Sequence, residues 1–392
     1  MKTIFTKIIS KIIPALLISL FIISLTADYK AEMYVVERVE PRRNEDRAES
    51  TVTPEAGNSR GTNAVRTNSN NSQNSQQHGM FINPLTGMRT VNDISRNRPV
   101  AISVSNQRGA LPTNAINGIS EADILYEFLV EGGITRFIAI YQDFSNVGTV
   151  GSIRSARHYM VQIAEAYDAL FMHAGGSPLG FEEIDTRGIT SFDEVRGIRN
   201  QIFSRDINRI PGHTVLQYHS CTTSGARFTQ WLPRYDIRTT HNVHFRQALN
   251  FTDNPIPNGE KAHEVGIRFS AVKDTFFLYE PSQNLYYLAQ NDSFLTDVNN
   301  NSPVPFTNLL ILEMPISDLV GHGEGAGRQD MSTTGFGRGY MVSDGKYVRI
   351  NWSRLDKSSQ FVYSFESGRE IELGHGKTYI AIVPNATNVI FS

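Results

Sequence analysis

From about residue 98 the chain is written in short apolar runs separated by glycine-, asparagine- and proline-bearing breaks, each run the length of a strand or a short helix. Arg98–Ser105 alternates or nearly so and predicts a strand. Asp123–Val130 and Arg136–Tyr141 predict two more, joined at Gly132-Gly133. Ser155 predicts an N-cap for a helix from Ala156 to about Asp168, with Tyr159, Ile163 and Tyr167 at helical spacing on one face. Ala169–His173 returns as a strand. Ser177-Pro178 then opens a second helix, cap followed by proline, which Gly188 ends.

Near Lys261 the pattern changes to hairpins. Thr275–Tyr279 and Leu285–Leu288 flank a Pro-Ser-Gln-Asn turn, and Tyr340–Val342 and Tyr347–Trp352 flank Asp344-Gly345. Ser364–Glu366 and Glu370–Glu372 flank Ser367-Gly368, and Thr378–Val383 is a last strand. Helices and strands come first and strands dominate afterwards, which predicts an α+β class. Order is expected from near Phe81, with an N-terminal domain over 80–250 and a strand-rich domain over 251–392.

The N-terminus is of another kind. Lys2, Lys7 and Lys11 precede an apolar run from Ile12 to Ile23 and the small-residue end Ser24–Ala27, the pattern of a secretory signal. Residues 1–27 are therefore expected to be a signal peptide or a membrane anchor, and the protein exported to the cell envelope, secreted or N-terminally anchored. No cysteine follows the apolar run, so a lipid-bearing (lipobox) cysteine is absent there. Residues 28–79, including Asn68–Gln77, carry few large apolar groups and predict a disordered polar tether. The single cysteine, Cys221, excludes an intramolecular disulfide and is expected as a free structural thiol.

With 37 Lys+Arg against 39 Asp+Glu the formal charge is -2, so there is no global basic field for nucleic acid. Contact with a membrane is expected only through the N-terminal segment. The basic residues that stand out are local. Arg136, Arg154 and Arg157, with Ser155, cluster around predicted strand and helix ends, where guanidinium forks and free amides can hold an anion. The plainer reading is that these arginines pair with Glu121, Asp123, Glu127 or Glu131 and tie loops together.

His173, beside Gly175-Gly176, is the best single general-base candidate, and Asp123 and Asp206 are further acid–base candidates. His173, His213 and His219 with Asp206, Glu182 or Glu183 show no metal-ligand spacing, so neither metal nor cofactor is expected. Gly374–Thr378 fails as a phosphate loop because Ile371 stands where glycine is needed and a strand follows. Gly321–Gly327 is glycine-rich without the dinucleotide pattern, and predicts a mobile loop.

Long blocks of the chain resemble the YerB-like family of bacterial envelope proteins, built on domains of unknown function. They are Asn83-Pro-Leu-Thr-Gly87, Arg98-Pro99, Glu121-Ala-Asp123, Glu131-Gly-Gly-Ile-Thr-Arg136, Arg154-Ser-Ala-Arg157, His173 with Gly175, Ser177 and Pro178, and Arg205-Asp206. In the second half they are Asp344-Gly345, Trp352, Gly368-Arg369 and Gly376-Lys-Thr378. The resemblance implies a layered β/β/α sandwich N-terminal domain with a second, strand-rich C-terminal domain. Many members look like lipoproteins, but the missing cysteine keeps that from carrying over. It implies no activity.

Three functions stay open on these residues. The first is binding of an anionic glycan, a lipid phosphate or an envelope protein through the Arg136/Arg154/Arg157 face. The second is an enzyme on phosphorylated or glycan envelope substrates, the arginines holding the anion while Asp123, Asp206 or His173 moves protons. The third is a structural or assembly module whose arginines are all internally paired.

Overall fold

The computed structural model describes residues 80–197, 200–256, 258–321, 325, 327–384 and 388–392. The chain divides into Met1–Gln76 and a compact unit Gln77–Ser392, to which all described residues belong. The expected signal segment and the whole of the expected tether, residues 28–79, lie outside the described residues. Among the described residues no helix is long and apolar enough to cross a membrane.

The unit is strand-rich. Its main strands are β1 (Val100–Ser105), β2 (Ile124–Leu129), β3 (Thr135–Tyr141), β4 (Thr149–Gly151), β5 (Leu170–His173), β6 (Ser191–Asp193) and β7 (Cys221–Ser224). After them come β8 (Glu264–Ser270), β9 (Lys273–Glu280), β10 (Leu285–Gln290), β11 (Asn308–Glu313), β12 (Gly335–Ser343), β13 (Lys346–Arg354) and β14 (Thr378–Val383). Among the described residues the α-helices are α1 (His158–Ala166), α2 (Pro178–Arg187) and α3 (Gly225–Trp231), all ahead of β8.

An 11-stranded mixed sheet runs β13-β12-β11-β14-β2-β3-β1-β5-β6, with short strands added beside β13. It joins both halves of the chain, because β14 pairs parallel with β2 as well as with β11. β2 and β1 each pair antiparallel with β3, while β5 is parallel to both β1 and β6. Hence β1, β2, β5, β6, β11 and β14 all point the same way and their carboxyl ends share one end of the sheet. In open sheets with parallel strands that end is where ligands collect.

Side chains alternate across the sheet. Leu125, Phe137, Ala139, Ile311 and Tyr379 pack with Val265, Phe277 and Leu288 of a second, six-stranded sheet built on β8–β10. Tyr126, Phe128, Ile138, Leu310 and Ile380 on the other face pack with Tyr159, Met160 and Ile163 of α1. Tyr159 and Ile163 are fully buried and Tyr167, just past the helix, nearly so, as the helical spacing predicts, and Met160 is buried beside them.

Two local expectations are corrected. Ser155 does not cap α1, which begins at His158 behind Arg157 and has no side-chain cap. The reason is that residues 154–156 run extended beside the chain after β5: Ala174 N donates to Arg154 O, and Ala156 N to Gly175 O. Only past Ala156 can the helix start. The second is the Ser367-Gly368 hairpin, whose first strand forms (Val362–Phe365) while its return is a single bridge between Ser364 and Glu370. By contrast α2 starts and stops as expected, with Ser177 Oγ accepting from Gly180 N and Gly188 left-handed at the C-cap. The Asp344-Gly345 turn has both residues at positive φ, 54° and 69°, as a two-residue hairpin needs.

Candidate functional site

The three predicted arginines do meet, at the carboxyl end of the parallel strands. β2 ends in the turn Glu131–Gly133, where Gly132 and Gly133 take φ of 68° and 72°. That left-handed path is open to glycine, and it leads into β3, which carries Arg136. Arg136 and Arg157 are buried, and both face the Glu131 carboxylate. Arg157 Nε lies 3.2 Å from Oε2 and Arg157 Nη2 2.5 Å from Oε1, while Arg136 Nη2 is 3.6 Å from Oε1. Burial alone would push the Glu131 carboxyl up, but Arg136 and Arg157 outweigh it and hold the group at about 2. Burial, and then the adjacent Arg157, bring Arg136 down to about 9, still charged at neutral pH.

Their remaining donors go to backbone. Arg136 Nη1 donates to Ser155 O at 2.7 Å and Arg157 Nη1 to Ala156 O at 2.8 Å. These two guanidinium groups thus pin the extended segment ahead of α1 to the β2–β3 turn.

Arg154 is different. It is half-buried, and among the described residues no carboxylate forms a salt bridge with it. Its Nη1 donates to Tyr218 O at 2.8 Å, its guanidinium lies 5.5 Å from the Tyr218 ring centre, and its buried Nε has no acceptor. Burial, offset in part by Glu131, lowers its proton affinity.

Beside it the turn Gln217–His219 is held by arginines at three successive carbonyls: Arg205 at Gln217 O, Arg154 at Tyr218 O and Arg209 at His219 O. Arg205 also forks onto buried Glu194. His219 is fully buried with neither ring nitrogen partnered. Burial first, then the nearby Arg154 and Arg209, drive it down to about 4, so it is neutral at pH 7. Arg205, Arg209, Glu194, Tyr218 and His219 were not predicted as a group, because backbone acceptors leave no mark in a sequence.

The other candidates disperse. His173 ends β5 at the same end of the sheet but is buried, with Nδ1 2.8 Å from Gly175 O and Nε2 unpartnered. Burial lowers its proton affinity. The Ser155 side chain approaches Gly175. Asp206 is exposed and accepts from Asn208 N.

Asp123 precedes β2 at the opposite end of the sheet, roughly 17 Å from Arg136 at the strand rise. There it accepts from Asn83 Nδ2 and Gln142 N. Among the described residues no three His, Cys, Asp or Glu side chains form a metal-holding group.

Burial, opposed by the bonds from Gln142 and Asn83 and by Lys377, raises Asp123 to about 6 from 3.8. A carboxyl raised on folding favours the folded state fully below the unfolded value, and the benefit is lost as pH rises through the folded value. The stability difference between wild type and Asp123→Asn should therefore shift against wild type by up to about 3 kcal/mol between pH 4 and 7. Urea unfolding of both at the two pH values checks it.

Together these features define a strand-rich α+β protein with arginines clustered at the carboxyl end of its parallel strands. Residues 85–228 match the family described as "Protein of unknown function (DUF3048) N-terminal domain", and residues 265–380 its C-terminal domain. The chain belongs to this YerB-like family. It is 26% identical over 306 residues to the Bacillus subtilis (strain 168) protein named "Putative lipoprotein YerB", covering 77% of this chain and 86% of that protein. The crystal structure of the YerB protein from Bacillus subtilis superposes with a TM-score of 0.67 at 25% identity, covering 79% of this chain and 99% of that one.

Proposed function

We propose that this protein is an extracytoplasmic, envelope-associated binding protein that holds an anionic envelope component at Arg154. Two things support the compartment: the relative carries the name "Putative lipoprotein YerB", and the N-terminal pattern of this chain is that of an export signal. The layered β/β/α arrangement implied by the resemblance belongs to this reading, with the second sheet on one face of the central sheet and α1 on the other.

The observation that carries it is the asymmetry of the three arginines. Arg136 and Arg157 are spent on Glu131, whereas Arg154 keeps a buried donor without an acceptor beside an exposed tyrosine ring and an unpartnered histidine. An arginine fork suits phosphate or carboxylate. Glycan phosphates and lipid phosphates share that chemistry.

The test is thermal unfolding of the 77–392 unit with poly(glycerol phosphate), polyprenyl phosphate and muropeptides in separate arms. A ligand present at ~100 times its Kd should add about 2.7 kcal/mol of stability. No shift in any arm defeats the reading.

A further inference from the structure

We propose that Lys273 and Asn106 form an intramolecular amide bond that covalently joins the two sheets. The site lies on the opposite face of the central sheet from Arg136, in the core between that sheet and the β8–β10 sheet. Glu127 of β2 is fully buried there, and its Oε1 touches both prospective partners: Asn106 Nδ2 at 2.8 Å and Lys273 Nζ at 3.5 Å.

Gln290 completes the set. Its Nε2 donates to Asn106 Oδ1 at 2.8 Å, and its Oε1 accepts from Lys273 Nζ. Asn106 and Gln290 are almost wholly buried and the Lys273 side chain is 11% exposed. Tyr379 OH donates to Glu127 Oε2 at 2.6 Å, and the rings of Phe277 and Phe306 pack on Tyr379 with centres 4.7 and 5.6 Å away.

Each group has a role. A desolvated lysine is a nucleophile because burial favours its free amine, and here burial outweighs the opposing pull of Glu127. Gln290 Nε2–H points at the oxygen on which charge would develop, the position of an oxyanion donor. One carboxylate oxygen bridging the attacking and leaving nitrogens is placed to relay protons between them.

The Lys273 ammonium gives a proton to Glu127, and the Nζ lone pair attacks Asn106 Cγ. The new Nζ–Cγ bond forms, the Cγ–Nδ2 bond breaks, and Nδ2 departs with the two protons that Nζ lost, relayed by Glu127. One lysine ammonium and one amide become a secondary amide and an ammonium ion. Glu127 ends as it began, and no redox partner is needed. Holding the amine and the amide on the same two side chains, Glu127 and Gln290, substitutes for a high concentration of amine. The same contacts without the reaction would be an ordinary buried ion pair.

Mass spectrometry decides between them. The full chain, purified after expression with its N-terminus sequenced, is denatured and weighed, then digested. The expected result is a mass about 17 Da below the sequence value, one ammonia lost, and a branched peptide linking Lys273 to Asn106. Lys273→Met and Glu127→Gln should each restore the full sequence mass. Folded wild type at its full sequence mass, without a branched peptide, overturns the proposal regardless of how the variants behave. So does a mass loss that maps to other residues.

Discussion

Glu127→Ala is expected to destabilise the folded protein by at least about 4 kcal/mol, a large share of the total stability of a typical domain. Glu127 accepts from Asn106 Nδ2, Thr135 Oγ1, Thr275 Oγ1 and Tyr379 OH, with Lys273 Nζ at 3.5 Å. Without Glu127 the Lys273–Asn106 amide does not form, so the variant keeps a buried Lys273 cation without its counter-charge and several buried donors without an acceptor, and each orphaned donor costs about 1–3 kcal/mol. Glu127→Gln keeps an acceptor and should lose less. Denaturant midpoints of the two variants check the order. Equal, small losses below about 1 kcal/mol would mean that water or a rearranged partner takes over the site.

The second large effect is expected at Glu131→Ala. Arg136 and Arg157 have side chains only 3% and 6% exposed, and Glu131 is their shared carboxylate. Removing one partner of a buried pair typically costs 3–5 kcal/mol. Glu131 itself is 35% exposed, so screening puts the expected loss nearer about 2–3 kcal/mol.

The pH dependence has a definite sign. Glu131 is held at about 2, below its ordinary 4.5, so its contribution is present above pH 4.5 and fades as pH falls toward 2. The gap between wild type and Glu131→Ala should therefore narrow in acid. Calorimetry at pH 3 and pH 7 measures it, and a gap unchanged between them would contradict the pairing.

These two carboxylates also mark what could be seen in the sequence. Glu127 and Glu131 both stood among the possible partners of the arginines, and composition could not separate them. Alternation does so only once the pairing is known. Glu127 shares the face of Leu125 and Leu129 and is turned toward the second sheet, whereas Arg136 lies opposite Phe128 on the face of α1. The strands β1, β2, β3, β5 and β14 and the helix α2 were legible because local period and cap chemistry decide them.

Ser155 misled for a tertiary reason. Cap chemistry favours a helix there, but the backbone bonds of residues 154–156 to the chain after β5 hold them extended. The parallel pairing of β14 with β2 was likewise invisible, since it joins residues 378–381 to residues 124–127 with no local signal. The arginine cluster was readable as a cluster. Which arginine is free was not, because that depends on a single shared carboxylate and on carbonyls of the Gln217–His219 turn.

We propose that Arg154 holds the ligand while Arg136 and Arg157 hold the fold. The most direct measurement is the equilibrium affinity of wild type, Arg154→Ala and Arg157→Ala for whichever anion stabilises the wild type, alongside each protein's melting temperature. Arg154→Ala is expected to melt close to wild type yet bind at least about tenfold more weakly, the loss of one charge-assisted contact. Arg157→Ala is expected to melt well below wild type. Unchanged affinity in a folded Arg154→Ala protein would contradict the proposal.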